Sequence, residues 1–216
     1  ELRAIVPAWH DPYDLRAAMS EYLTGLGDAR RQGEFSTAAP TRSDTLGAFA
    51  CYVAAFQLDR SNSRAALREA TMLLDFPETP DAATQGLLDN LIEVLFIEKQ
   101  SAYQKADYSH ILRLHVVLAQ IFMRQGALGG NGFDTHTAVF QLEHALEVWA
   151  RGTKLKLDMP PASGLHARLG EVYERLAADR PGYQSRASHE YLLSALEFTN
   201  EVERGQAEKM LNRAGT

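Results

Sequence analysis

A single cysteine, Cys51, stands in a chain of 216 residues. One thiol can neither close an intrachain disulfide nor build a zinc site from several cysteines. It lies in the apolar run AFACYVAAF with no basic residue beside it, so a small packed side chain is expected rather than a reactive nucleophile. Long hydrophobic runs are also missing: nothing approaches the roughly 20 consecutive apolar residues that span a bilayer. Positive charge is not in excess, since 22 Lys and Arg face 28 Asp and Glu, for a net charge of −6. Such a molecule is not drawn to polyphosphate backbones or anionic membranes, and nucleic-acid binding is excluded without a local basic stripe. Valine and isoleucine are sparse and never alternate with polar residues over a strand's length, which argues against sheet. The chain opens on Glu1 rather than methionine, as a trimmed or processed product would, so any targeting segment is out of view. Compartment is therefore not legible; a soluble, cytoplasmic protein is the default expectation.

What is present is helical periodicity, from end to end. Asp11-Pro12 opens a first helix with an acceptor at the cap and proline in the first turn, and Leu15, Met19, Tyr22 and Leu26 line one face. Gly33 to Thr45 reads as a loop, Ser43 or Asp44 as the cap of a helix to Leu58, and Ser61 as the cap of the next. After the break DFPETPD, a segment from Asp81 carries the apolar core LIEVLFI of a helix buried on most sides. Asp107 caps a helix ending at Gly126, GALGGNG reads as a glycine loop, and Asp134 restarts helix with Phe133 as a staple. A linker RGTKLKLDMPP, two helices split by DRPGYQ, and a short polar helix complete the chain. The pattern implies about eight or nine helices with short connections. No composition shift marks a second domain, so residues 1–216 are expected to form a single all-helical domain.

Two stretches repeat. LHVVLAQIFMRQG, from Leu114, aligns with LHARLGEVYERLA, from Leu165, matching Leu118 with Leu169, Ala119 with Gly170 and Phe122 with Tyr173. The helices that follow align Ala138, Leu142 and Ala145 with Ser188, Leu192 and Ala195. Two antiparallel helices approach closely only where side chains are small, and one hairpin cannot bury its own apolar face, so such units stack. At these residues the chain resembles the tetratricopeptide repeat family, with its L-G-x-x-Y on the first helix of a hairpin and A-x-x-x-F-x-x-A on the second. The better copies are residues 108–150 and 162–200. A weaker copy at 44–75 sets Ala50, Cys51 and Ala54 against Ser63, Leu67 and Ala70. His115 and His166 stand where the family carries an aromatic, and the stretch between paired helices is longer than usual. The resemblance implies an all-α fold of antiparallel hairpins stacked as a right-handed superhelix; the alternative is another all-helical bundle.

No reaction chemistry is legible, and no cofactor, metal site or catalytic residue is assigned. His110 and His115 fall on different helix faces; His136 and His144 share one without a third ligand. His115 and His166 recur at matching positions, which favours packing over catalysis. GALGGNG lacks the lysine and the preceding strand of a phosphate loop. Arg151, Lys154 and Lys156 follow a helix C-terminus, where positive charge is favoured.

In the family that the chain resembles, the first helices of the hairpins line a concave groove that holds a peptide or a partner helix. That resemblance implies exposed groove residues Arg113, Gln120, Met123 and Arg124 from one copy, and Arg168, Glu171, Glu174 and Arg175 from the next. Phe49, Tyr52 and Phe56 would come from the weaker copy. Arginine's planar fork suits a carboxylate, so the expected partner is a protein or peptide with an acidic group. An oligomer is compatible with this reading. The competing class is a helical small-ligand-binding or enzymatic domain whose pocket leaves no motif.

Overall fold

The computed structural model describes residues 12–32, 42–75, 82–129, 132–197 and 201–215, and every regular element among them is helical. In chain order these are α1 (Pro12–Gln32), α2 (Arg42–Leu58), α3 (Ser63–Asp75), α4 (Ala82–Gln104), α5 (Tyr108–Gly129), α6 (Gly132–Lys154), α7 (Ser163–Asp179), α8 (Gln184–Leu196) and α9 (Glu201–Ala214), with a 3-10 turn at Pro181–Tyr183 before α8. The all-α expectation holds. No described helix is long and apolar enough to cross a membrane.

Several helix ends differ from the sequence reading. Asn62, not Ser61, caps α3: its Oδ1 accepts the Ala65 amide at 2.9 Å, while Ser61 is turned back to the Asp59 carboxylate. An amide oxygen one residue closer to the first turn reaches the free N–H groups better. The glycine loop is mostly helix, since α5 continues to Gly129 and α6 begins at Gly132. Asp107 does cap α5, accepting the His110 amide at 3.0 Å. The Phe133 side chain lies outside the described residues. Helices α4 and α6 end on non-glycine residues in the left-handed region, Ala106 (φ 53°) and Lys156 (φ 58°). In each, the next amide reaches back five residues, Asp107 to Ala102 and Leu157 to Gly152, which satisfies the last carbonyls. α6 runs through Lys154, so its last turn carries Arg151 and Lys154, and the linker folds back on it. Trp149 Nε1 donates to the Pro160 carbonyl at 2.7 Å, and Met159 packs on Gly152.

The described residues form two compact units. The first holds α1, α2, α3 and residues 86–98 of α4; the second holds residues 82–85 of α4 and the described residues from 99 onwards. In the first unit α1 and α2 lie antiparallel. Gly27 is seated against the Tyr52 ring, and a Cβ added there would stand 2.6 Å from Tyr52 Cε1. Ser20 Oγ donates to the Ala55 carbonyl at 2.7 Å, and Asn62 donates to Ser20 and Thr24, all buried. A core cluster in this unit joins Ala48 and Tyr52 of α2 to Met72 of α3.

The second unit pairs α5 with α6 and α7 with α8, again antiparallel. Gly170 is seated against Tyr191 as Gly27 is against Tyr52, with the same 2.6 Å to Cε1 for an added Cβ. Ser194 Oγ donates to the Ser163 carbonyl at 2.9 Å. Ser20 and Ser163 occupy the same place before their glycines, as do Ala55 and Ser194 after their tyrosines, so one polar link recurs with its donor exchanged. The core joins Ala119, Ala138 and Leu142 to Leu169, Val172, Tyr173, Leu176, Ala187 and Tyr191.

These contacts change the repeat register. On the second helix of each hairpin, equivalent buried positions are Ala48-Tyr52-Ala55, Ala138-Leu142-Ala145 and Ala187-Tyr191-Ser194, with Ala195 also buried. The sequence alignment had matched Ala138, Leu142 and Ala145 to Ser188, Leu192 and Ala195, one residue later. Leu192, however, is 42% exposed while Tyr191 is 1% exposed. The chain gives up an aliphatic side chain to solvent because the ring of Tyr191 fills the space above Gly170. The third copy of the contact also falls one helix earlier than the alignment placed it, on α1–α2 rather than α2–α3.

Two outcomes follow. Gly170→Ala drives a methyl into the Tyr191 ring and should cost about 1–3 kcal/mol in urea unfolding, the usual range for overpacking; Tyr191→Leu in the same chain should recover part of it. Glu69, 2% exposed, has a carboxyl oxygen with no hydrogen-bond partner. Burial pushes its carboxyl up from 4.5 to about 7, and the charge of Arg60 opposes that only in part. A folded-state value above the unfolded one favours folding below about pH 4.5 and loses that contribution as pH rises to about 7. Glu69→Gln should therefore flatten the loss of stability between pH 5 and 8, a difference on the order of 3 kcal/mol at 1.36 kcal/mol per unit.

Candidate functional site

The expected groove residues are placed as follows. In the second unit Arg113 and Arg175 are exposed, and Gln120, Met123, Arg124, Arg168 and Glu171 are half-buried. All belong to α5 and α7, the first helices of their hairpins. The Arg175 guanidinium donates to the Met123 carbonyl at 3.3 Å, tying α7 to α5. Arg168 reaches the Gly164 carbonyl of its own helix at 3.5 Å. Glu171 accepts from Arg213 of α9 at 3.3 Å, and Glu174 accepts from the Tyr191 hydroxyl at 2.7 Å. Arg213 also lies 5.3 Å from the centre of the Tyr191 ring. On this surface Arg168 and Arg175 reach backbone carbonyls, and Glu171 is held by Arg213 of α9.

In the first unit the expected aromatics divide. Phe49 is half-buried, whereas Tyr52 and Phe56 are 0% and 3% exposed. Tyr52 and Phe56 are therefore not exposed groove residues: both are buried on α2, the second helix of its hairpin, and Tyr52 packs on Gly27 of α1. Tyr52 instead donates its hydroxyl to Asp28 Oδ1 at 2.8 Å. Arg64 NH2 meets Asp28 Oδ2 at 2.6 Å and Arg68 Nε meets Oδ1 at 2.9 Å. Burial alone would raise the Asp28 carboxyl, but the Tyr52 hydroxyl and the two guanidinium groups outweigh it and hold it below its ordinary value. Tyr52 is pushed up, by burial first and then by Asp28. Asp28 directly follows Gly27, as Glu171 follows Gly170; each carboxylate is held by arginine from a later helix. Extending the repeat alignment back to Leu26-Gly27 would have exposed this correspondence.

A buried polar chain links α4, α5 and α6 in the second unit. His115, 3% exposed, has Nδ1 2.8 Å from Gln141 Oε1 and Nε2 3.0 Å from the Tyr103 hydroxyl. Lys99 Nζ donates to the same Gln141 oxygen at 3.2 Å. Burial brings Lys99 down to about 8, and burial with the neighbouring lysine charge brings His115 down to about 4, so the imidazole is neutral. Its repeat counterpart His166 pairs with Glu190, Nδ1 to Oε2 at 2.7 Å. The recurring histidines thus each bridge the two helices of a hairpin, as a packing role requires. Lys99, Gln141 and Glu190 carried no motif and became visible only through these partners. Cys51 is half-buried. Among the described residues no group of three or more histidine, cysteine or acidic side chains is arranged to hold a metal ion.

No family model matches the chain, and no curated protein does. Among solved structures it is similar to a de novo designed helical repeat protein, at 14% identity over 94% of each chain, with a TM-score of 0.35.

Asp28→Asn removes the charged acceptor of the Tyr52 hydroxyl and of two partly exposed arginines and should destabilise the first unit by about 1.5–3 kcal/mol in chemical unfolding at pH 7, the range for hydrogen bonds to charged groups. Because the Asp28 carboxyl is held below 3.8, its contribution is present above that pH and is lost as pH falls further. The gap between wild type and variant should therefore close in acid.

Proposed function

We propose that the chain is a tetratricopeptide-like, non-catalytic interaction module. Its partner is an extended peptide or a helix bearing an acidic group, received on the first-helix surface of the hairpins. The observation that carries this reading is the small-to-bulky contact repeated in three hairpins: Gly27 on Tyr52, Ala119 near Leu142, and Gly170 on Tyr191. It is the contact that the family's spacing encodes, and it commits the first helices to display their other faces.

On that surface Arg113, Gln120, Arg124, Arg168, Glu171 and Arg175 are the partner-binding residues. Arg124 and Arg175 hold equivalent places after Ala119 and Gly170. Arginine binds a carboxylate in a bidentate fork, and hydrogen bonds to charged groups contribute about 1.5–3 kcal/mol each.

The test is selection from a displayed library of extended peptides. The wild-type chain should enrich sequences with Asp or Glu, and Arg124→Glu with Arg175→Glu should reduce binding of those selected at least about tenfold. Circular dichroism checks that helix content is kept. Undiminished binding by the double variant removes the arginine surface from the reading.

A further inference from the structure

Between α6, α7 and α8 an open cleft of about 370 Å³ is lined by Glu143, Tyr173, Ser185, Arg186, His189 and Glu190. Its two carboxylates are oriented from the helix behind them. The Tyr173 hydroxyl donates to Glu143 Oε1 at 3.0 Å, and His166 Nδ1 pairs with Glu190 Oε2 at 2.7 Å. Both donors come from α7, and each engages one oxygen of its carboxylate. An ionised carboxylate offers about four lone-pair sites, so acceptor capacity is left on both. Burial and then the Glu143 carboxylate push the Tyr173 hydroxyl up to about 12, which keeps the proton it donates.

The third wall is aromatic. Tyr173 and Tyr183 stack with ring centres 5.8 Å apart and planes inclined by 15°. The Arg186 guanidinium lies 5.8 Å from the first ring centre and 5.5 Å from the second. This surface therefore already receives a planar cation, within the roughly 6 Å at which the ring quadrupole attracts one. Two glutamates and one guanidinium line the cleft. An entering anion meets two carboxylates; an entering cation meets two oriented acceptors.

We propose that this cleft takes a basic side chain, arginine before lysine, from a partner polypeptide, with the cation held between Glu143 and Glu190. Its volume is within the roughly 300–1,000 Å³ of ligand pockets, and its open mouth suits a side chain carried on a peptide. The planar fork of arginine engages two carboxylates and stacks on tyrosine, which an ammonium cannot do as well. The site goes beyond the acidic-group surface and does not depend on it, because it uses different residues and the opposite charge.

The test is calorimetric titration of the full chain with a short uncharged host peptide carrying one arginine, alongside versions with citrulline or glutamate in its place. The arginine peptide should bind at least about tenfold more tightly than the citrulline peptide, from the loss of charge-assisted hydrogen bonds. Glu143→Gln and Glu190→Gln should each weaken it by about the same factor. Arg186→Ala should leave affinity for the arginine peptide equal or raised, since it removes a like charge. Glu143 is exposed, so that single variant decides the matter if Glu190→Gln disturbs the fold. Equal binding of the arginine and citrulline peptides, or full affinity in Glu143→Gln, overturns the proposal. So does preference for the glutamate peptide that disappears in Arg186→Ala, which would make the cleft an anion site. This readout is separate from the capture of acidic peptides, so either reading can fail while the other stands.

Discussion

The close approach of a glycine to a tyrosine ring is the constraint on which the α1–α2 and α7–α8 hairpins depend. Glycine inside a helix is less favourable than alanine by about 0.5–1 kcal/mol, from backbone entropy. Gly27 and Gly170 accept that cost because Tyr52 and Tyr191 occupy the space where a Cβ would be. The ring then packs at the glycine, fully buried, with its hydroxyl reaching a carboxylate. Ala119 and Leu142 fill the same places with less volume and no hydroxyl, so only the tyrosine hairpins carry the polar extension.

From that contact the polar interior follows. A tyrosine hydroxyl buried at a helix interface needs an acceptor, and Asp28 and Glu174 supply it. In the first unit Asp28 is itself largely buried and needs cations; Arg64 and Arg68 of α3 provide them. In the second unit the Tyr191 ring and Glu171 bring in Arg213 of α9. Each tyrosine thus joins its hairpin to the helix that comes after it. The histidine bridges do related work inside the hairpins of the second unit. His115 faces an amide and is buried and neutral; His166 faces a carboxylate beside the cleft. The same backbone position therefore serves as core in one copy and as support for a surface feature in the next.

The two proposed surfaces would make opposite demands on a partner. Arginines on α5 and α7 would suit acidic groups, and Glu143 and Glu190 on α6 and α8 a basic one. A peptide carrying both signs would engage both faces of one stack, and the net charge of −6 does not set the sign of either site. Local geometry sets it, since exposed charges beyond about 8–10 Å are screened at physiological ionic strength.

Helical periodicity and the pattern of small residues were enough, from the sequence by itself, to determine an all-α chain of paired helices, and capping chemistry located Asp107. The pairing of His115 and His166 as equivalent positions was also legible, because identical residues at a fixed spacing need no coordinates to be seen. Tertiary structure alone decided which of two neighbouring residues faces the core. On the second helix of the last hairpin, Tyr191 and Leu192 are both apolar enough to be buried, and a one-residue shift turns a helix by about 100°. Only the space above Gly170 chose between them. It likewise decided that α2 pairs with α1, and that Lys99, Gln141, Glu143 and Glu190 meet their partners. Such contacts join side chains far apart along the chain, and local pattern carries information only about near neighbours.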